Sequence, residues 1–269
     1  MKINKIDRIG EKRINNFGSE MIIINSYTEF NGKHNRNYTY IDVYFPQYNW
    51  TFKRAKYDSF KKGNIKCPYE PRVFGIGYIG EGEYKRWENG RNTRAYDTWN
   101  NMLGRCYDEK CQEKNPTYID CEVCEEWHDF QAFAEWYYKN YYEIKGEQMC
   151  LDKDILLKGN KIYSPETCIF VPKRINSLFI KCDSKRGNNP VGVFDCENGK
   201  YQVSFSIYDF KTCKSKSEYL GRYDTQEKAF EVYKQFKERN IKEFADYYEG
   251  RIPEKLYNGL YNYDVEITD

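Results

Sequence analysis

The chain has 269 residues, 40% of them hydrophobic and 31% charged, with 43 basic against 41 acidic residues and a net charge of +2. No apolar run approaches the roughly 20 residues that span a bilayer and no signal-like stretch follows the first residues, so no membrane span is expected and the expected location is cytoplasmic. The balanced charge sets aside any binder that relies on a large global basic excess, and leaves nucleic-acid contact to local patches.

Aromatic content is high, with 27 Tyr, 16 Phe and 5 Trp. Tyrosine packs its ring while keeping its hydroxyl wet, which suits thin cores and adhesive polar surfaces. Ten cysteines in a reducing compartment stay as thiols unless a metal or catalysis claims them.

Near the N-terminus, Met21-Ile-Ile-Ile-Asn-Ser-Tyr27, Tyr40-Ile-Asp-Val-Tyr-Phe45 and Trp50-Thr-Phe-Lys53 carry β-branched and aromatic residues in strand-like alternation. The polar Asn31-Gly-Lys-His-Asn-Arg-Asn37 reads as the loop between the first two. A small β-barrel or meander over residues 1–72 is expected. Val73-Phe-Gly-Ile-Gly-Tyr-Ile-Gly-Glu-Gly82 is punctuated by glycine. Its spacing is not that of a phosphate-cradling loop between a strand and a helix, so a close-packed strand or loop is expected.

Tyr96, Trp99, Met102 and Leu103 then fall on one helical face. After a loop at Asn115-Pro-Thr117, Trp127, Phe130, Phe133, Ala134, Tyr137 and Tyr138 repeat that spacing. Both stripes read as packed helix faces. From Pro190 onwards Val191-Gly-Val-Phe194, Lys200-Tyr-Gln-Val-Ser-Phe205 and Ser217-Glu-Tyr-Leu-Gly-Arg-Tyr223 give three short strands, with Asn198-Gly199 as the first hairpin turn. Thr225 is placed to cap a helix, Glu227 suits its dipole, and Ala229, Phe230, Tyr233 and Phe236 form its stripe. A final helix and strand is expected over 249–269, anchored by Leu256, Leu260, Val265 and Ile267.

Two stretches resemble known families. Tyr96-x-x-Trp99-x-x-Met102-x-x-Arg105-Cys106, Cys124-x-x-Trp127-x-x-Phe130, Leu151-Asp-Lys-Asp-Ile155 and Tyr163-Ser-Pro-Glu-Thr-Cys168 resemble, in that order, phage-encoded HNH-endonuclease-like proteins. Gly192-Val193, Gly199-Lys-Tyr201, Leu220-Gly221 and Asp224-Thr-x-Glu-x-Ala229 resemble the APETALA-two domain that accompanies such nucleases. The resemblance implies an α+β chain in four segments. A small β-domain (1–72) would precede a degenerate HNH-like domain (73–185). An APETALA-two-like three-stranded antiparallel sheet on one helix (186–248) and a C-terminal extension (249–269) would follow.

An HNH site holds one divalent metal, magnesium or manganese, on a two-stranded turn and a helix, beside a histidine that activates water. On that pattern Asp152 and Asn176 match the metal ligands, Lys153 stands in the place of the base histidine, and Tyr163 and Ser164 occupy the middle region where the motif has Asn. The flanking carboxylates of Asp152 and Asp154 favour an ammonium over the free amine a base needs. The only histidines are His34, in a polar loop, and His128, expected on a solvent-facing helix position. Standard hydrolysis is therefore not expected, and enzymatic activity is left open, a metal-dependent nuclease resting on Asp152 and Asn176 alone.

Cys121-Glu-Val-Cys124 with Cys106 and Cys111 is a second metal candidate, a closed zinc site, set against the simpler reading of small buried residues. Cys150, Cys168, Cys182, Cys196 and Cys213 lack ligand spacing. In the C-terminal segment Lys200, Lys211, Lys214, Lys216 and Arg222 are candidate DNA contacts, opposed by the acidic Asp195 and Glu197. Two functions from different classes follow. One is a phage DNA-binding protein related to HNH homing nucleases, with lost or weak cleavage and double-stranded DNA as partner. The other is an anti-defence inhibitor that binds a bacterial immune complex, motivated by neutral charge and abundant tyrosine. Self-association is open in either case.

Overall fold

The structure, a computed structural model, describes residues 7–180, 189–196 and 199–267. They fall into two compact units, one of residues up to 139 with 162–164, the other of 140–161 with 165 onwards. Both contain helices and sheets, so the chain is α+β. No helix of the described residues is long and apolar enough to cross a membrane.

The first unit begins with strands β1 (Lys12–Ile14), β2 (Glu20–Asn31), β3 (Arg36–Phe45) and β4 (Trp50–Lys56) in the order β1-β2-β3-β4, each antiparallel to the next. Among the described residues no pairing joins β1 to β4. Of the two expected forms, barrel or meander, the sheet is therefore the open meander. Alternation sends Met21, Ile23, Ile41, Val43 and Phe45 to one face, fully buried with Phe60 of helix α1 (Tyr57–Lys61) and with Cys67. The rim is tied by Asn15, whose Oδ1 accepts from the backbone of Phe17 and Ser19 at 2.9 Å while its Nδ2 donates to Ile65 O and to the buried Glu70.

The glycine-punctuated segment is a close-packed loop. A Cβ at Gly77 would lie 2.9 Å from the Trp99 ring and against Leu103, and one at Gly80 would press on Asp129. Helix α2 (Arg94–Tyr107) is capped by Thr93, which accepts from Tyr96 N, and buries Trp99, Met102 and Leu103 as the periodicity predicts. A short helix α3 (Glu109–Lys114) follows. The second aromatic stripe is split. Trp127 ends up in a 3-10 turn, whereas Phe130, Phe133, Ala134 and Tyr137 are buried on helix α4 (Phe130–Asn140), and Tyr138 is exposed.

In the second unit β5 (Met149–Asp152) pairs antiparallel with β6 (Ile169–Pro172), and helix α5 (Lys173–Ser177) follows directly and lies beside both strands. The C-terminal sheet is β7 (Val193–Asp195), β8 (Tyr201–Asp209) and β9 (Lys214–Tyr223) in sequence order, all antiparallel. Gly199, at φ +71°, and the Cys196–Lys200 backbone pairing close the first hairpin; its other turn residue, Asn198, lies outside the described residues. Helix α6 (Gln226–Tyr248), capped by Thr225, packs Ala229 and Tyr233 on Val193, Val203 and Phe205. Helix α7 (Glu254–Tyr261) buries Leu256 and Leu260. The strand expected after it is absent among the described residues. Instead Val265 is buried in an irregular segment, held where Lys234 donates to its carbonyl, and Ile267 is exposed.

Candidate functional site

The residues matched to the metal and base positions lie at the end of β5 and just after it (Asp152, Lys153) and on α5 (Asn176). Asp152 ends β5, opposite Ile169, and its Oδ1 accepts from the backbone N–H of Asp154 (3.0 Å) and Ile155 (2.8 Å), which fixes the turn. Burial, with the Asp154 carboxylate beside it, pushes the Asp152 carboxyl up to about 6. Lys153 is 7% exposed; its Nζ donates to Asn160 O at 2.9 Å and sits 3.4 Å from Asp154. Asn160 returns a bond to Lys153 O at 2.7 Å, so the lysine is clamped into the loop. Asn176 is half-buried on α5.

The residues of the middle motif are spent differently. Tyr163 is buried in the first unit, in a two-residue strand (Ile162–Tyr163) parallel to Glu122–Val123, with Arg105 donating to its hydroxyl at 3.3 Å. Neither histidine lies near Asp152 in sequence. His34 is exposed beside Tyr38, and His128 is half-buried at a 3-10 turn, its Nε2 3.1 Å from Val123 O, rather than facing solvent. Chemically the hairpin offers a carboxyl, an ammonium and an amide, without an imidazole to take a proton from water.

Among the described residues no group of three or more His, Cys, Asp or Glu is arranged to hold a metal ion. Cys106 and Cys121 are buried and Cys111 and Cys124 half-buried, and the Cys121 thiol approaches Thr117 O at 3.7 Å. Cys182 and Glu197 lie outside the described residues.

The C-terminal sheet has one face on α6 and one open face, and the register assigns residues to each, because directly paired residues share a face. Val203 and Phe205 are buried against α6. On the other face Phe194 lies opposite Gln202, and Gln202 opposite Arg222, so one row crosses all three strands. A bulge between Val203 and Ser204 shifts the register, so that Ser204 faces Tyr219 and Ser206 faces Ser217. Phe194 is 45% exposed and Tyr219 58%.

The candidate DNA-contacting cations are not one stripe. Arg222 stands in the open row, Lys216 pairs with Ile207 and Lys214 with Asp209 at the far end, and Lys211 lies in the turn between β8 and β9. Lys200 is 3.1 Å from Asp224.

A polar cluster of the second unit carries no signal in the sequence. Glu147 Oε1 accepts from Arg174 Nη1 (2.7 Å) and from Tyr248 OH (2.9 Å), with the Glu147 side chain only 8% exposed. The Arg174 guanidinium also lies over the Tyr208 ring, 5.1 Å from its centroid. Burial and the bond to Glu147 push the Tyr248 phenol up, so it acts as donor. Compared with protein-family models, with curated proteins and with solved structures, the chain finds no match.

Proposed function

We propose that this chain is a DNA-binding protein whose C-terminal sheet reads duplex DNA through its open face, on a scaffold resembling the phage HNH nucleases but without their hydrolysis. The observation that carries the reading is the row in which Gln202 stands directly beside Arg222. Glutamine pairs bidentately with the adenine edge and arginine with the guanine edge in the major groove, and the serine hydroxyls of Ser204, Ser206 and Ser217 accept or donate to either. Loss of cleavage is supported by Lys153, which stands clamped beside Asp154 where the fold it resembles needs a histidine. Asp152 and Asn176 are left as the residues that could hold a magnesium or manganese ion.

Binding of the full chain to a duplex library at several salt concentrations tests this. Arg222→Ala is expected to cost about 1–3 kcal/mol at preferred sequences and to relax preference at one position. Lys200→Ala, whose charge already meets Asp224, should change affinity far less. An Arg222→Ala chain with unaltered affinity and preference removes this assignment. Exposed Phe194 and Tyr219 on the same face favour a second reading, an anti-defence protein docking a bacterial immune complex. Retention of a stoichiometric host protein from nuclease-treated lysate, undiminished at high salt, would select it.

A further inference from the structure

The N-terminal meander concentrates charge that the chain as a whole lacks. Residues 25–42 and 50–56 hold Lys33, Arg36, Lys53, Arg54 and Lys56 against Glu29 and Asp42. The rest of the chain is close to neutral, since its total is +2. Both acids are already engaged. Glu29 is held bidentately by Arg54 at 2.8 and 3.2 Å, and Asp42 accepts from Asn25 Nδ2 (3.0 Å) and from the Arg54 backbone N–H (2.9 Å).

Two of the cations left over converge. The Arg36 guanidinium lies 4.4 Å and the Lys56 ammonium 5.4 Å from the centroid of one ring, Tyr38, with His34 edge-on at 6.3 Å. Among the described residues neither Arg36 nor Lys56 is ion-paired with a carboxylate, and both are exposed. The Asp58 carboxyl is held below its ordinary value by Lys61, ion-paired with it at 2.9 Å, with help from Arg36. The electron-rich ring face attracts each cation. A neutral ring does not neutralise two like charges held at one place, so the cluster is complementary to an anion. Guanidinium and ammonium together supply fork-shaped and point donors, the pair that suits phosphate oxygens.

The backbone adds a shape. Pairing of β3 with β4 ends at Tyr40–Lys56, while β2 and β3 continue as a two-stranded ribbon through Glu29–Tyr38 to Asn31–Arg36, with Lys33 in the turn. At about 3.4 Å per residue the ribbon spans several phosphates of one DNA strand, and a two-stranded ribbon is of a width that a major groove admits.

We propose that this ribbon is a second DNA-contacting surface, in which Arg36 and Lys56, gathered on Tyr38, hold the phosphate backbone of a duplex. The choice of DNA as the polyanion rests on the reading in the preceding subsection; the cation cluster itself does not. Such contacts position without reading sequence, and would supply the salt-dependent affinity that the nearly uncharged C-terminal row lacks.

The test is fluorescence anisotropy of the full chain on labelled duplexes of about 30 base pairs over a salt series. For Arg36→Ala with Lys56→Ala, affinity is expected to fall on the order of tenfold near 0.1 M salt, equally for all sequences. The slope of log affinity against log salt should drop by about 2, one step for each phosphate no longer neutralised. The charge-preserving pair Arg36→Lys with Lys56→Arg should keep the slope, and matching far-UV circular dichroism shows that the variants fold. If the wild-type chain binds duplex and the double alanine variant keeps both affinity and slope, the ribbon site is overturned while the C-terminal reading stands. If binding is abolished in the ribbon variant but shows no sequence preference and no response to Arg222→Ala, the ribbon stands and the C-terminal reading falls. No binding of duplex even at low salt overturns both.

Discussion

Single side chains decide two measurable properties. Asp152 is held at about 6 against an ordinary value of 3.8, through burial first and the neighbouring Asp154 second. The folded state therefore binds the proton more tightly than the unfolded one. That contribution is complete below about pH 4 and is lost as pH rises through 6, leaving an ionised group about 3 kcal/mol less favourable above pH 7. Asp152→Asn keeps the oxygen that accepts from Asp154 and Ile155 and removes the charge. Urea unfolding should show the variant more stable by about 1–3 kcal/mol at pH 8 and indistinguishable at pH 4. Equal stability at pH 8 would mean that the carboxylate is compensated in the fold. Arg174→Met has the opposite sign, since it strands the nearly buried Glu147 carboxylate. A loss of about 3–5 kcal/mol is expected in the same assay, and a loss below about 1 kcal/mol would mean that Tyr248 alone satisfies the carboxylate. Neither effect was visible in the sequence as a pattern. Asp152 stood out only through a resemblance, and Glu147 meets Arg174 and Tyr248 across 27 and 101 residues, distances at which no local spacing signals a pair.

Elements were more legible where one periodicity ran long enough. The α2 stripe and the Thr225 cap of α6 follow from helical spacing and capping chemistry, and the alternation of β2 and β3 from strand spacing. Short elements carry too few residues for any period to show, which is why α5, five residues long, gave no signal. The final segment misled for another reason. Val265 is apolar because it is buried, but it is anchored by Lys234 rather than by a neighbouring strand. The glycine loop owes its composition to contact: an added methyl at Gly77 would enter the space of Trp99 and Leu103. Gly77→Ala is expected to cost about 1–3 kcal/mol by overpacking, and Leu103→Ala in the same chain should recover part of that loss. Fully additive costs in the double variant would place the strain elsewhere.

At the scale of the whole chain, the net charge of +2 hides an uneven distribution, with cations gathered at the N-terminal ribbon and a mostly uncharged row at the C-terminal sheet. A balanced total says little about nucleic acid when its parts are this distinct. The path of the backbone matters as well. The chain leaves the first unit after residue 139, builds the β5 turn, and returns only for residues 162–164 before leaving again. Those three residues carry the strand that pairs in parallel with Glu122–Val123, and Cys124 donates its backbone N–H to Tyr163 O. During synthesis, therefore, the first unit waits with an unpaired edge until the ribosome has delivered residue 164, by which time the first strand of the next unit has already emerged. The first unit therefore cannot close that edge from its own contiguous stretch, and a chain truncated after residue 139 would lack the partner of Glu122–Val123.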